Sequence, residues 1–180
     1  MTIKMVALDL DDTLLNSQLK ISPACVRAIR AARQKGVIIT LSTGRMFQSA
    51  LPYARQLEID VPIITYQGAW VKSSLSGEVL YYQPVPAGLA RQVMSFFRQQ
   101  GVHYHCYYND ELCIESSSAE ADDYACLAGV DARMYDDLIT ALGHYDTLKI
   151  MAISTNESRL LEMEKEMKAR FADQLYITRS

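Results

Sequence analysis

Three carboxylates, Asp9, Asp11 and Asp12, follow the apolar run Met5–Leu8 with no Gly or Pro between them. Such a run reads as a buried strand, and a parallel α/β sheet binds ligands just past the carboxyl ends of its strands. Carboxylates crowded at a strand end repel one another, so a cation is the natural guest. Mg²⁺ suits the place, because it takes one or two carboxylates and keeps water and phosphate oxygens as its other ligands. Asp9 could attack phosphorus while Asp11 handles the leaving-group proton, with the Thr13 hydroxyl holding Asp11 in position. A bare Asp-x-Asp is also compatible with an acidic turn capping a strand. The apolar strand before this one and Thr13-Leu14-Leu15 after it sharpen the pattern.

A second candidate closes the next apolar run. After Val37–Leu41 come Ser42-Thr43-Gly44-Arg45, a small hydroxyl residue and a Gly ahead of a helical pattern. That order puts a hydroxyl donor and open backbone N–H groups where a phosphate can be held. Taken alone, it is an ordinary strand-to-helix turn. Beside an acidic strand end it reads as the phosphate half of one site.

Asp9-Leu10-Asp11-Asp12-Thr13-Leu14-Leu15 resembles the first motif of the haloacid dehalogenase-like (HAD) hydrolases. The stretch Gly36 to Arg45 resembles the second motif as the Cof-type phosphatases write it. A strand ending in Asn-Gly-Ala, its usual companion, appears here as Ile63-Ile64-Thr65-Tyr66-Gln67-Gly68-Ala69, with Gln67 departing from Asn. The resemblance implies a Rossmann-like parallel α/β core with an α+β cap. It also implies a Mg²⁺-dependent phosphatase acting on a small phosphorylated metabolite: a sugar phosphate, pyridoxal phosphate or flavin mononucleotide. On that reading Asp9 is the nucleophile and Asp11 the acid and base. The metal is held by the Asp9 carboxylate and the Asp11 backbone carbonyl. The Leu10 N–H, the Thr43 hydroxyl and the Gly44 N–H hold the phosphoryl oxygens.

The resemblance further implies a Lys and a Gly-Asp-x-x-Asn-Asp-like loop after the cap, and neither follows within the sequence, which stops at Ser180. The expectation is therefore a carboxy-terminally truncated member whose core is incomplete in its C-terminal half. Met5–Leu8 would then be an exposed apolar edge that invites self-association. A catalytically silent remnant that binds a ligand or a partner is the alternative. A nucleotide-sugar transferase Asp-x-Asp leaves Thr43 and Gly44 unexplained.

The rest of the composition narrows the class. The 180 residues are 49% hydrophobic and 22% charged with a net charge of −3, an ordinary globular balance with no basic stripe for nucleic acid. No apolar run is long enough for a membrane span, and the acidic strand end lies too near the N-terminus for a signal peptide, so the chain reads as cytoplasmic. Cys25, Cys106, Cys113 and Cys126 show no Cys-x-x-Cys spacing and read as free thiols. His103 and His105 share one strand face while Cys106 points to the other, which argues against zinc. His144 is solitary and reads as structural.

The elements that must carry these residues alternate strand and helix. Ser22-Pro23 starts a helix that Gly36 ends, a helix covers Phe47 to Leu57 with Pro52 in its first turn or kinking it, and Ile63–Tyr66 is a third strand. This predicts a parallel sheet with right-handed crossovers. Hairpins are predicted within Ser73–Tyr82 and about Asn109-Asp110, and helices over Ala87–Gln100, Ala119–Ala128, Asp136–Leu142 and Glu157–Phe171. Strands are predicted over Leu148–Ser154 and Leu175–Thr178. The catalytic core is assigned to residues 1–80 and the cap to 81–180.

Overall fold

A computed structural model of the chain describes residues 3–171 and 173–179. The chain divides into two compact units, Met1–Pro84 with Ala128–Val130, and Val85–Leu127 with Asp131–Ser180.

The first unit is built on two parallel strands. β1 (Met5–Leu8) pairs with β2 (Ile38–Leu41) in a register running from Met5↔Ile38 to Leu8↔Leu41. The crossover is α1 (Pro23–Gln34), whose first turn is capped by Ser22 Oγ, accepting from the Cys25 N–H at 3.1 Å. Gly36 then turns the chain back at φ 79°, a conformation that costs a glycine little. Ile39, Thr40 and Leu41 are buried, as a strand covered on both faces requires.

α2 (Phe47–Gln56) follows, and Pro52 lies in its interior rather than in its first turn. The burial of Phe47, Ala50 and Ala54 along one face holds this helix, although Pro52 gives its ladder no N–H. β3 (Pro62–Thr65) joins β2 through one parallel bridge, Ser42↔Ile64, while the buried Thr40 hydroxyl donates to the Pro62 carbonyl at 2.6 Å. Beyond β3 the sheet turns antiparallel, through β4 (Trp70–Ser73) to β5 (Val79–Tyr82). The expected strand–helix rhythm therefore stops at Thr65. Tyr66 and Gln67 both adopt left-handed backbone (φ 52° each), reversing the chain directly into β4.

The second unit pairs helices with a four-stranded sheet. α3 (Ala87–Gln100) ends at Gly101 (φ 60°) and leads into β6 (His103–Tyr108). β7 (Glu111–Ile114) returns antiparallel through Asn109 and Asp110, both at positive φ as a two-residue hairpin demands. α4 (Ala119–Ala128), β8 (Ala132–Met134), α5 (Leu138–Leu142), β9 (Lys149–Ile153) and α6 (Glu157–Phe171) complete the order, and the strands lie side by side as β8-β7-β6-β9. Tyr104 and Cys106 on one sheet face pack with Val93, Met94, Phe97, Leu138, Met163, Met167 and Phe171 to form the core. His103, His105 and Tyr107 occupy the opposite face, where Tyr124 of α4 packs on His105 and Tyr107.

Three expectations need correction here. β8 has no counterpart among the strands the sequence predicts; it pairs parallel to β7 from Leu112↔Ala132 to Ile114↔Met134. Leu175–Thr178 forms no strand. Leu175 and Ile177 instead pack, partly buried, against the helical core, and Arg179 pairs with Glu164 at 2.7 Å. The fifth helix begins at Leu138, because the Asp137 carboxylate caps it by accepting from the Thr140 N–H at 2.9 Å. All four cysteines are free. Among the described residues, no helix is long and apolar enough to cross a membrane.

Candidate active site at two adjacent strand ends

Because β1 and β2 are parallel and Leu8 stands opposite Leu41, the loops carrying Asp9 and Thr43 leave the same edge of the pair. The Ser42 N–H donates to the Leu8 carbonyl at 2.8 Å, and the Thr43 N–H to the Ile64 carbonyl at 3.0 Å. Three consecutive strands are thus tied together where the candidate residues begin.

Asp9 is exposed, and its Oδ1 accepts from the Leu10 N–H at 2.8 Å. That bond fixes the rotation of the carboxylate over the turn. It also engages, within the turn itself, the N–H assigned to a phosphoryl oxygen. The turn over Leu10–Leu14 is held by Leu10 and Leu14, both buried, and by the Leu15 N–H donating to the Leu10 carbonyl at 2.8 Å. Within it Asp12 takes φ 53° and reverses the chain, a conformation that short acidic side chains tolerate.

Thr43 is buried, and its Oγ1 accepts from the Arg45 N–H at 3.2 Å, which leaves the hydroxyl proton to be donated. Gly44 lies under the Gln67 side chain. A Cβ at position 44 would stand 2.6 Å from Gln67 Nε2, so only glycine leaves that amide where it is. Gln67, which replaces the Asn of the motif, therefore covers the loop that carries the candidate phosphate donors.

Arg45, to which the sequence alone gives no role, also enters the site. The Arg45 Nε and Nη2 donate to the two oxygens of Asp11, at 2.8 and 2.6 Å. Its Nη1 donates to Ser49 Oγ at 3.1 Å, and its guanidinium lies 5.6 Å from the centre of the Tyr53 ring. The Arg45 side chain is only 10% exposed, whereas that of Asp11 is 48% exposed. Thr13 does not appear among the partners of Asp11; the guanidinium holds that carboxylate instead. A pairing across 34 residues carries no local signal, apart from the Arg that follows Thr43-Gly44.

Among the described residues no three His, Cys, Asp or Glu side chains converge on one point. A hard cation such as Mg²⁺ needs fewer, since one or two carboxylates with water and phosphate oxygens suffice. The Asp9 carboxylate and the Asp11 main chain, oxygen donors on one turn, fit that requirement.

The sequence profile of the haloacid dehalogenase-like hydrolases matches residues 6–180. The chain belongs to this family. Pyridoxal phosphate phosphatase YbhA of Escherichia coli is 30% identical over 64% of the chain and 42% of its own length. The Bacillus subtilis 5-amino-6-(5-phospho-D-ribitylamino)uracil phosphatase YitU is 28% identical over 83% of the chain and 58% of its own. The crystal structure of TM0651 from Thermotoga maritima superposes with a TM-score of 0.82 at 28% identity, covering 99% of this chain and 66% of that one. The HAD-like hydrolase chain thus spans about half the length of the curated relatives it matches. Its two units correspond to an α/β HAD-like fold.

Proposed function

We propose that this chain carries the nucleophile half of a phosphatase for a small phosphorylated metabolite. The observation that carries the reading is the exit of Asp9 and Thr43-Gly44 from adjacent ends of one parallel strand pair. The names of the two relatives, a pyridoxal phosphate phosphatase and a phosphoribitylaminouracil phosphatase, support that substrate class. We take residues 1–80 as the catalytic part and 81–180 as the part that selects the substrate.

An Asp9 oxygen attacks phosphorus as the bond to the leaving oxygen breaks, and Asp11 supplies the proton that the departing oxygen needs. Water then attacks the aspartyl-phosphate and passes its proton to Asp11, releasing phosphate and restoring Asp9. The Thr43 hydroxyl and the Gly44 N–H hold the phosphoryl oxygens, joined by the Leu10 N–H if Asp9 gives up its bond to it. Mg²⁺ at the Asp9 carboxylate and the Asp11 carbonyl would neutralise phosphoryl charge.

Hydrolysis of p-nitrophenyl phosphate with Mg²⁺, run beside Asp9→Asn, tests the reading. Turnover that depends on Asp9 supports it. Phosphate binding without turnover would favour the alternative, a silent binding chain. Thr43→Val should lower kcat/KM by roughly 5- to 150-fold, the equivalent of a lost hydrogen bond worth about 1–3 kcal/mol. An unchanged value would mean that Thr43 does not touch the phosphoryl group.

We also propose self-association through the core edge. β1 pairs only with β2 in its described sheet, and Ile3, Met5 and Ile38 are 67%, 54% and 47% exposed. An apolar edge of that kind is a template for another strand. Light scattering on the 180-residue chain should find oligomers, and a monodisperse monomer would overturn this proposal.

A further inference from the structure

Arg45 is anchored more firmly than the carboxylate it holds. Three of its nitrogens donate hydrogen bonds, to both Asp11 oxygens and to Ser49, and the side chain is almost buried, whereas Asp11 is half exposed. A guanidinium fork fixes the plane of a carboxylate as well as its position, which a single ammonium cannot do. In this grip both Asp11 oxygens face Arg45. For an oxygen to meet a leaving group, one N–H contact has to be given up, and the freed oxygen has to take up a proton from solvent before it can pass that proton to the departing alkoxide. An arriving phosphoryl dianion would attract the same guanidinium and loosen the grip at the moment the oxygen is needed.

We propose that Arg45 is a positioning residue that stores Asp11 in one orientation and releases one of its oxygens toward the leaving group when a phosphoryl group binds beside Asp9. This deepens the phosphatase reading and rests on it.

Two substrates distinguish this role from simple phosphate binding. A p-nitrophenolate leaves without needing a proton, whereas an alkoxide from an alkyl phosphate needs one. In the full chain with Mg²⁺, Arg45→Met should lose about tenfold or more extra kcat on the alkyl phosphate compared with p-nitrophenyl phosphate, with KM little changed. Arg45→Lys should not restore it, and Asp11→Asn should show the same substrate bias, with no further loss in the double variant. Equal losses on both substrates would mean that Arg45 acts on the phosphoryl group itself, and no loss would mean that the grip is only structural; either overturns the proposal.

A readout independent of turnover is the Arg45 Nε–H resonance, assigned by its absence in Arg45→Lys. It should shift when Mg²⁺ and fluoroberyllate, a phosphoryl mimic, are added. A resonance that stays in place while the mimic binds overturns the release. If the mimic binds Asp9→Asn as well as the wild type, or binds neither, the reading of Asp9 fails and takes this proposal with it.

Discussion

Asp9→Asn is expected to abolish phosphate-ester hydrolysis, with a loss of at least about 10⁴-fold, because the proposed mechanism passes both half-reactions through an intermediate formed on this residue. An amide can neither attack phosphorus nor lend anionic charge to a cation. The fold should survive the change, since Asp9 is exposed and an Asn oxygen can still accept from the Leu10 N–H. Asp11→Asn should be severe for a different reason, the loss of proton transfer, and its deficit should be smaller on substrates with good leaving groups. Steady-state kinetics with circular dichroism on the same samples checks both. Full activity in Asp9→Asn would end the assignment.

The second large effect concerns the stability of the β6 sheet face rather than chemistry. His105 is fully buried there, between His103 and Tyr107, with ring nitrogens 3.5 Å from His103 Nε2 and 3.3 Å from the Tyr107 hydroxyl. Tyr107 in turn bonds to the Tyr124 hydroxyl, and His103 Nδ1 lies 3.3 Å from Ser118 Oγ. Two neutral arrangements serve every ring nitrogen, with the protons of both imidazoles on Nε2 or of both on Nδ1, so that every donor in the row points the same way along it. A second proton on either ring has to enter this row at the expense of a bond.

Burial, with further contributions from the neighbouring His103 and Lys149, lowers the His105 pKa to about 3 from an ordinary value of 6.5. His103 is lowered as well, chiefly by burial, against the opposing pull of Glu120. The unfolded chain therefore takes up protons below pH 6.5 that the folded chain refuses. Stability is fully present above that pH and is lost as pH falls toward about 3, at about 1.4 kcal/mol per pH unit for His105 alone. Lys149 on the same face, lowered to about 8 by burial, takes up its proton above this window and adds no slope within it. Urea unfolding between pH 7 and 4 should show the decline, and His105→Gln should flatten it whatever that substitution does to stability at pH 7. A wild-type chain equally stable at pH 7 and pH 4 would contradict this account.

Legibility in the sequence followed the locality of the forces. The Ser22 cap, Gly36, Gly101 and the Asn109-Asp110 turn are decided within a few residues, and α1, α3 and the β6–β7 hairpin form where those signals stand. β8 is three residues long with Arg133 at its centre, too short to show a period, and it forms because β7 offers it an edge. Leu175–Thr178 has strand composition, but Leu175 and Ile177 pack on the helical core instead, while Tyr176 is exposed. In the candidate site, the succession of an apolar run and a functional loop made Asp9 and Thr43 visible, and the parallel pairing of β1 with β2 brings their loops to one edge. The Arg45–Asp11 grip and the Gln67 amide over Gly44 were not visible, because each joins residues that only the fold brings together.

Trapping the covalent intermediate tests the central claim most directly. The chain is mixed with a phosphorylated substrate and Mg²⁺, quenched with borohydride, digested and sequenced by mass spectrometry. An aspartyl-phosphate is reduced under these conditions, so the account predicts homoserine at position 9 and an unmodified aspartate at position 11. Homoserine at any other position, or continued turnover with Asp9 never labelled, would contradict it.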